Sequence, residues 1–411
     1  MTGHILFLAH RMPFPPDRGD KIRSHHVLHR LAQLAPVHVA TLADDLRDFE
    51  FEHELAAIAT SHCLAKRAKP LALAGAQALL RRVPVSVAAF ADARISAYVA
   101  RVLAEHPIDT IYVFSGQMGQ YVPKHFAGRV IADFVDVDSA KFEAYGDGGK
   151  GWRGRIDRRE ARLLRAFEAR LAERAHASLL ISIEEAALFR ARLPVGSAAL
   201  GRVHVIANGI DSAGFSPDAA SPAQPLQAFP APRLILTGQM DYAPNIAAAL
   251  RVAERILPAL RERIPTASFH VVGRNPPREL LERHGRQGFH VWGAVPDMRA
   301  WLAGSELALV PLELARGVQN KVLEAMAMGL PVVLSPGAAT GIPAHHGRHC
   351  TVAEADGEFV EACCALIADP AAARVMGHAA RRLVAEKLSW PAALAPLDAL
   401  LGRTPAERDV A

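Results

Sequence analysis

The stretch RGVQNKVLEAMAMGLPVVLS, residues Arg316–Ser335, is the most informative part of this chain. It follows the apolar run Leu307–Leu312 and predicts a strand, a short loop, a helix and a second strand. Gly329 is placed to end the helix, because glycine readily takes the left-handed conformation, and Pro331 prevents the helix from continuing. Two parallel strands joined by a helix are the building unit of an α/β sheet.

The start of that helix carries the residues most typical of a ligand site. Lys321 and Glu324 are three positions apart, so both project from one side of the helix. A helix N-terminus offers free N–H groups and a positive dipole end, which suit a diphosphate. A cation in the first turn opposes that dipole, so Lys321 is better explained by an anionic ligand than by helix stability. For this motif alone, the alternative is a solvated helix start with an incidental salt bridge.

Composition and length predict a globular α/β protein of two domains or one large one. The chain has 411 residues, 51% hydrophobic, with a formal net charge of +5. Its four cysteines have no paired or metal-binding spacing, which favours reduced thiols and a cytoplasmic protein. No apolar run approaches the ~18 residues that a membrane span needs. The nineteen histidines form no metal-binding motif, so we expect no metal in the site.

The positive charge is concentrated in one predicted helix. Lys150–Arg174 contains nine basic and four acidic residues, a net of +5. Either this is a surface helix whose arginine stems pack on the protein, or it contacts an anionic membrane surface. Nucleic acid is not an expected partner, because no known reader module is present.

Strand and helix patterns alternate along both halves of the chain, which predicts two doubly wound, mostly parallel sheets. Residues 207–232 are rich in Pro, Ser, Gly and Ala and are interpreted as a linker. The predicted domains are therefore 1–206 and 207–411, with the segment from about residue 390 crossing back to the first. Ligands of such sheets bind beyond the carboxyl ends of strands, so the expected site is a cleft between the domains. Strands are predicted at 5–9, 37–42, 110–114, 129–133, 177–181 and 203–206, and again at 233–237, 268–272, 289–292, 306–310 and 332–334.

Loops after two further strands of the second half carry glycines. Gly238 would allow close backbone approach, and Gly273 bends a strand end beside Arg274, which could bind a phosphate. A single glycine at a strand end is commonly just a turn. Together with the loop before Lys321, they favour a nucleotide site at one edge of the sheet.

The first half offers a weaker set of candidates. Gly19 and Asp20 open a predicted helix near Arg18 and Arg23, and Asp20 is either a helix N-cap or a substrate contact. No G-x-G-x-x-G follows the first strand, which counts against a nicotinamide dehydrogenase.

Asp136 and Asp138 form a D-x-D, a pattern that can hold Mn²⁺ or Mg²⁺ against a diphosphate. Metal ligation is not expected here, because a chance D-x-D is common in a chain of this length. A structural cap through Asp138 and Ser139, or a place near an acceptor, is the alternative.

These motifs together resemble the retaining GT-B glycosyltransferases of the sucrose-synthase and mannosyltransferase-like family. The resemblance rests on NGID with FSP at 208–217, the Gly238 loop, VVG at 271–273, G-x-V-x-D at 293–297, and KVLEAMAMGLPVV at 321–333. RMPFPPDRGDKIRSHH at 11–26, DVDSAK at 136–141 and MDYAPN at 240–245 look like a narrower branch, the sugar transferases associated with exopolysaccharide and exosortase systems.

The resemblance implies two Rossmann-like domains and the following roles. Lys321 and Arg274 would neutralise the departing diphosphate, and Glu324 would hold the ribose hydroxyls. Residues expected at the donor are Gly19, Asp20, Gly238, Gln239, Asn245, Gly273, Arg316, Gly317, Val318, Gln319 and Asn320. Residues expected on the acceptor side are Arg18, Arg23, Asp136 and Asp138.

The same resemblance implies transfer of a sugar with retention, without a metal or cofactor. The donor would be a nucleotide diphosphate sugar, UDP- or GDP-linked, and the acceptor a saccharide or lipid-linked saccharide in exopolysaccharide biosynthesis. Such a protein would be cytoplasmic or peripheral at the inner face of the cell membrane.

The sequence departs from the family pattern in two regions. Arg316 stands where many members have a glutamate that contacts the donor sugar, and Gln239 and Asn245 stand where many carry an arginine and a lysine. Alternatives are therefore an epimerase or hydrolase on the same fold, and a non-catalytic nucleotide-sugar-binding partner in a polysaccharide assembly complex.

Overall fold

The computed structural model describes residues 3–148, 151–314 and 317–403 of the chain. These residues form two compact units. The first contains the described residues up to Asn208 together with those from Ala393 onward, and the second contains Gly209–Ala392. Each unit is an α/β structure built on one parallel sheet, as the alternation of strand and helix patterns predicts.

The sheet of the first unit has seven strands within the described residues, all paired in parallel. Their spatial order is β3-β2-β1-β4-β5-β6-β7, so the chain winds outward in both directions from the β1–β4 pair. The strands are β1 (His4–Ala9), β2 (Val37–Ala43), β3 (Ser61–Lys66), β4 (Ile108–Phe114), β5 (Arg129–Val135), β6 (Ala177–Leu180) and β7 (Val203–Val205).

Helices connect these strands and cover the sheet. On one face, Leu6 and Leu8 of β1 pack in a single core with Ile95 and Val99 of the helix before β4. The helices of this part of the chain are α1 (Gly19–Leu34), α2 (Glu52–Ile58), α3 (Leu71–Arg81), α4 (Val85–Ala89), α5 (Ala93–Glu105), α6 (Asp138–Gly148), α7 (Gly151–Arg174) and α8 (Ile183–Arg192).

The sheet of the second unit has six strands among the described residues, in the order β10-β9-β8-β11-β12-β13. Its strands are β8 (Arg233–Thr237), β9 (Ser268–Val272), β10 (Phe289–Val291), β11 (Leu307–Val310), β12 (Val332–Leu334) and β13 (Thr351–Val352). Its helices are α9 (Ala243–Arg251), α10 (Leu257–Arg263), α11 (Arg278–Leu281), α12 (Met298–Ala303), α13 (Asn320–Ala327), α14 (Pro336–Ala339), α15 (Asp356–Ala368) and α16 (Pro370–Leu383). Two short helices follow, α17 (Trp390–Leu394) and α18 (Pro396–Leu401).

Two local features differ from the sequence-based expectation. The helix predicted from about 244 to 263 is interrupted by a π-helical turn, Val252–Ile256, directly before Pro258. Proline lacks an N–H and clashes with the preceding turn, so the wider turn accommodates it. Part of the predicted linker 207–232 is packed rather than free, because Leu226 is fully buried in the core of the second unit and the Ala223 N–H donates to Ala300 O.

The core of the second unit is large and continuous, and it includes the buried face of α13 and the strands on either side of it. Within the described residues, no helix combines the length and the hydropathy that a membrane span requires. All four cysteines are free thiols.

Candidate active site

Two glycines bring the loops after β8 and β9 into direct contact at the carboxyl edge of the second sheet. Gly238 has φ +146° and Gly273 has φ +159°. A Cβ on Gly273 would lie 1.6 Å from the carbonyl oxygen of Gly238, and one on Gly238 would lie 2.9 Å from Nδ2 of Asn245. Only glycine fits either position, and the backbone of Gly238 lies directly against Gly273.

A cavity of about 260 Å³ opens beside these loops and the start of α13. Lys321 reaches across it, with Nζ 2.9 Å from Oδ1 of Asn245 and 3.3 Å from Oε1 of Gln319. Asn245 is buried and donates through Nδ2 to the carbonyl oxygen of Gln239 at 2.8 Å. Asn245 therefore holds both the Gly238 loop and the lysine. The cavity is lined by Gly238, Gln239, Tyr242, Asn245, Val318, Asn320, Lys321 and Glu324.

Lys321 and Glu324 are both charged groups held in a poorly solvated place. Burial lowers the pKa of Lys321, an effect that the nearby Glu324 charge opposes. Burial likewise raises the pKa of Glu324, and the Lys321 charge opposes that shift. Each shift means that the ionised form is less stable here than in water. Among the described residues, no hydrogen bond reaches the Glu324 carboxylate, which leaves its oxygens able to accept from a ligand hydroxyl.

The N-terminus of α13 is not capped by its own sequence. Gln319 occupies the N-cap position without a side-chain hydrogen bond to the helix, and its Nε2 donates to Gly317 O at 3.1 Å. Gly317 has φ +65°, and Gly317, Val318 and Asn320 are exposed. The helix start thus presents polar backbone to the cavity. Arg316, predicted at the donor, lies outside the described residues.

Arg274 lies next to the cavity rather than in its lining. Its guanidinium faces the side-chain amide of Gln239, and with the amide oxygen turned toward it, that oxygen accepts from Nη2 at 2.8 Å and Nε at 3.0 Å. Its carbonyl oxygen accepts from the Met240 N–H at 2.9 Å. Arg274 is exposed, so its guanidinium can also reach an anion in solution.

In the first unit, a network of charges surrounds the carboxyl end of β1. Asp20 accepts from Arg11 Nη1 at 2.5 Å and lies 3.2 Å from Arg18 Nε. Arg11 and Arg18 also bind one oxygen of Asp44, at 2.7 and 2.8 Å. Although burial opposes it, hydrogen bonds from His10 and Arg11 lower the pKa of Asp20 well below its ordinary value. The N-cap alternative for Asp20 is wrong, because Arg18 holds that position and Asp20 lies in the first helical turn.

His10 is a candidate that the sequence reasoning missed. It follows β1 directly, lies 3.4 Å from Asp20 through Nε2 and stacks on Phe114 with ring centroids 5.9 Å apart. Its Nδ1 is buried and has no hydrogen-bond partner in the described part of the chain. Burial lowers the pKa of His10, and the Asp20 hydrogen bond partly restores it. The sequence signal that could have identified His10 is its position directly after the first strand of an α/β sheet.

The other first-unit candidates fall into two groups. A Cβ on Gly19 would meet nothing within 4 Å, so the chain itself does not require glycine there. Arg23 is 1% exposed and binds Asp133 and Asn208, so it lies in the interior of the unit rather than on an acceptor surface.

Asp136 and Asp138 share one cation. Lys141 Nζ lies 2.7 Å from Asp136 and 3.3 Å from Asp138, and Gln117 donates to the second oxygen of Asp138 at 2.8 Å. Asp138 begins α6, but the cap of that helix is Glu168, which accepts from the backbone N–H of Ser139 at 3.0 Å. A lysine between the two carboxylates supplies the charge that a metal would otherwise supply.

A larger cavity of about 520 Å³ lies elsewhere in the second unit, near the start of β11 and β12. Its walls are mainly apolar and include Leu302, Leu330, Leu366 and Pro370. None of the residues that line the cavity beside Lys321 lines this one. Its larger size therefore does not make it the candidate active site.

The two parallel-sheet α/β units have the GT-B fold, and the comparisons with known proteins agree. Residues 231–369 match the sequence model of a family described as glycosyl transferases group 1. No curated protein sequence matches the chain.

Solved structures similar to the whole chain include several GT-B proteins. HepE from Anabaena in complex with UDP and glucose has a TM-score of 0.60 at 16% identity, covering 98% of this chain and 100% of that one. Sucrose-phosphate synthase from Thermosynechococcus elongatus has a TM-score of 0.57 at 16% identity, covering 97% and 98%. WaaG, a glycosyltransferase involved in lipopolysaccharide biosynthesis, has a TM-score of 0.55 at 18% identity, covering 97% and 100%. At these identities the likeness shows the fold.

Proposed function

We propose that this protein is a glycosyltransferase that moves a sugar from a nucleotide diphosphate sugar to a saccharide or lipid-linked saccharide. The observation that carries the proposal is the Lys321–Glu324 pair at the start of α13, lining a cavity beside the loop in which Gly238 contacts Gly273. The family match supports it, because the matched segment contains all four residues.

The physical roles follow from where charge develops. When the bond from the sugar to the diphosphate breaks, negative charge grows on the leaving phosphate, and fixed cations and N–H groups there lower the barrier. Lys321 and the N-terminus of α13 occupy that place, and Arg274 can add a second cation from the adjacent loop. Glu324 lies one turn further along and would accept hydrogen bonds from the ribose hydroxyls.

The finer features are proposed together with the activity. We expect retention at the sugar carbon and no metal, as in the family that the sequence resembles. HepE was solved with UDP and glucose, which makes a UDP-sugar the first donor to test. His10 and Asp20 at the carboxyl end of β1 are our candidates to contact the acceptor, and an exopolysaccharide is the class of product we propose.

Calorimetry against UDP-, GDP-, ADP- and TDP-sugars tests the donor site. Glu324→Gln and Lys321→Met each remove one charged hydrogen bond, worth about 1.5–3 kcal/mol, so each should weaken donor binding about 10–150-fold. The matched controls are Glu279→Gln and Lys387→Met, exposed residues of the same unit, which should bind like the wild type. Equal binding by all four variants would place the donor elsewhere.

Turnover separates the enzymatic alternatives. A transferase releases nucleotide diphosphate only when an acceptor is present, whereas a hydrolase or epimerase acts on the donor alone. A protein that binds one donor tightly but releases no nucleotide with any acceptor would support the non-catalytic partner, which the arginine at position 316 also favours.

We also propose contact with an anionic membrane surface, supported by α3 as well as by the basic helix α7. The buried positions of α3 are alanines, whereas Leu71, Leu73, Leu79 and Leu80 are 57–85% exposed. On α7, Trp152 is 68% exposed and neighbours exposed arginines. Exposed leucine and tryptophan beside arginine is the composition of an interfacial helix.

Sedimentation with vesicles of anionic or neutral lipid tests this contact at low salt. Leu79→Asp combined with Leu80→Asp should reduce binding to the anionic vesicles, and Val195→Asp, at another fully exposed apolar position, should not. No binding to anionic vesicles by the wild type would reject the proposal.

A further inference from the structure

Three histidines from distant parts of the sequence meet at the amino-terminal edge of the first sheet. His4 begins β1, His38 is the second residue of β2, and His106 directly follows α5. One ring nitrogen from each lies within 4.8 Å of the others. The carboxyl edge, where His10 and Asp20 lie, is at the other end of β1, so this cluster is separate from the site described above.

The distances are close to those of a metal site. His4 Nδ1 and His38 Nε2 are 2.9 Å apart, and the rings of His38 and His106 have centroids 4.3 Å apart. Three imidazoles around a tetrahedral ion at Zn–N distances of about 2.0–2.1 Å would have nitrogens roughly 3.3–3.4 Å apart. To bind the ion, His4 Nδ1 and His38 Nε2 move slightly apart and the His106 ring turns toward them. Both movements are rotations about side-chain bonds.

The surroundings orient one nitrogen of His38 toward the cluster. Its Nδ1 lies 2.7 Å from Ser61 Oγ, which in turn lies 2.7 Å from the Tyr98 hydroxyl. When Nδ1–H donates to Ser61, Nε2 keeps its lone pair and faces His4. A hydrogen bond on the far nitrogen is how proteins fix the tautomer of a metal-binding histidine.

The surroundings of the cluster suit a cation. His106 is the C-cap of α5, whose negative dipole end favours positive charge. His4 and His106 are partly exposed, which leaves a path for an ion and a position for a water ligand.

We propose that His4, His38 and His106 bind one divalent transition-metal ion, with zinc as the representative metal. Neutral imidazoles suit zinc, copper and nickel, whereas calcium and magnesium prefer oxygen ligands. The ion joins the start of β1 to β2 and to the end of α5, and it holds these three elements together. On binding, the proton shared by His4 Nδ1 and His38 Nε2 moves to the outer nitrogen of His4, so no net protonation change is required.

Calorimetry of the full chain, stripped with EDTA and titrated with Zn²⁺ at pH 7.5, tests the proposal. We expect one saturable site per chain, no binding of Mg²⁺, and visible absorption typical of tetrahedral coordination when Co²⁺ is used. His106→Gln, at the partly exposed edge, should weaken zinc binding at least ~100-fold, more than the ~10-fold loss expected of the positioning variant Ser61→Ala.

Controls separate this site from incidental binding by other histidines. His29→Gln, at an exposed histidine of α1, should bind zinc like the wild type. Zinc should raise the melting temperature of the wild type and of His29→Gln but not of His106→Gln. If the wild type shows no saturable zinc site, or if His106→Gln binds as tightly as the wild type, the proposal is wrong. Donor binding by the second unit is a separate readout that does not depend on this ion.

Discussion

Asp133→Asn should strongly destabilise the first unit, because it breaks an ion pair that is sealed from water. The side chains of Arg23 and Asp133 are 1% and 0% exposed. Asp133 accepts from Arg23 Nε at 3.1 Å, from Arg23 Nη2 at 3.3 Å and from the Tyr112 hydroxyl at 2.9 Å. Asparagine keeps the size but turns an NH₂ group toward these donors and leaves the guanidinium without its counter-charge.

The expected cost is about 3–5 kcal/mol, the range for removing one partner of a buried pair. That is a large part of the ~5–15 kcal/mol by which such proteins are stable. Arg23→Met combined with Asp133→Asn removes both charges and should recover part of the loss, because the isolated buried cation is gone. Glu105→Gln is the control, since the pair of Glu105 with Arg101 is more than half exposed and should contribute under 1 kcal/mol.

Hydrogen exchange read by mass spectrometry is the suitable assay, because it reports the stability of each of the two units separately. Peptides from β1 and β4 report the first unit, and peptides from β8 and β11 report the second. We expect faster exchange in the first pair only. A change below 1 kcal/mol in those peptides, or a double variant less stable than Asp133→Asn, would show that the Arg23–Asp133 pair does not stabilise the first unit in this way.

Three further predictions concern single groups. Gly273→Ala should destabilise the second unit by more than 2 kcal/mol, because the added Cβ would overlap the Gly238 carbonyl. In the control Gly285→Ala the added Cβ would meet nothing within 4 Å, so only backbone strain of about 1–2 kcal/mol is expected. Urea unfolding compares the two variants. Burial lowers the pKa of His270 to about 3, so between pH 7 and 4.5 this side chain takes up a proton only when the protein unfolds. The free energy of unfolding should therefore fall by about 2–3 kcal/mol over that pH range. In urea melts, His270→Gln should abolish this part of the pH dependence. Glu160→Gln should cost about 1–3 kcal/mol in thermal melts, because the buried carboxylate accepts two backbone N–H groups and a hydroxyl at the start of α4.

The fold class was predictable because most strands are buried on both faces and are continuous apolar runs. The edge strands β3 and β13 were not predicted. β3 has one buried residue, Ala65, and a polar sequence, since an edge strand has a neighbour on only one side. The π-helical turn before Pro258 was also missed, because the apolar periodicity continues through it.

The candidate site was predictable where its residues are close in sequence. Lys321 and Glu324 share a helix, so their common side follows from spacing alone. The contact of Gly238 with Gly273, and that of His10 with Asp20, depend on how loops meet after folding. Burial is equally invisible in sequence: Arg18 and Arg23 lie five positions apart at the start of one helix, but only Arg23 is buried.

The cluster of His4, His38 and His106 shows the same limit most clearly. Their separations of 34 and 68 positions match no motif, and it is the parallel register that brings them together. Leu6 pairs with His38, which places His38 on the same face of the sheet as His4, two residues before Leu6. Sequence patterns therefore recover sites built on one element and miss those built across a sheet edge.

The residues at the start of α13 are unfavourable for helix stability, which supports a role for them in ligand binding. The side chain of the N-cap residue makes no capping hydrogen bond to the helix backbone, a lysine occupies the first turn, and burial disfavours the charges of both Lys321 and Glu324. The helix tolerates this because Val322, Leu323 and Met326 are at most 2% exposed in the core of the unit. The packing of these apolar residues thus offsets the free-energy cost at the helix start. If the helix start served stability alone, substitutions that remove this cost would be expected. A bound diphosphate with ribose hydroxyls would supply the missing anion at the lysine and the missing donors at the glutamate, so the same residues that weaken the empty helix would favour the bound one.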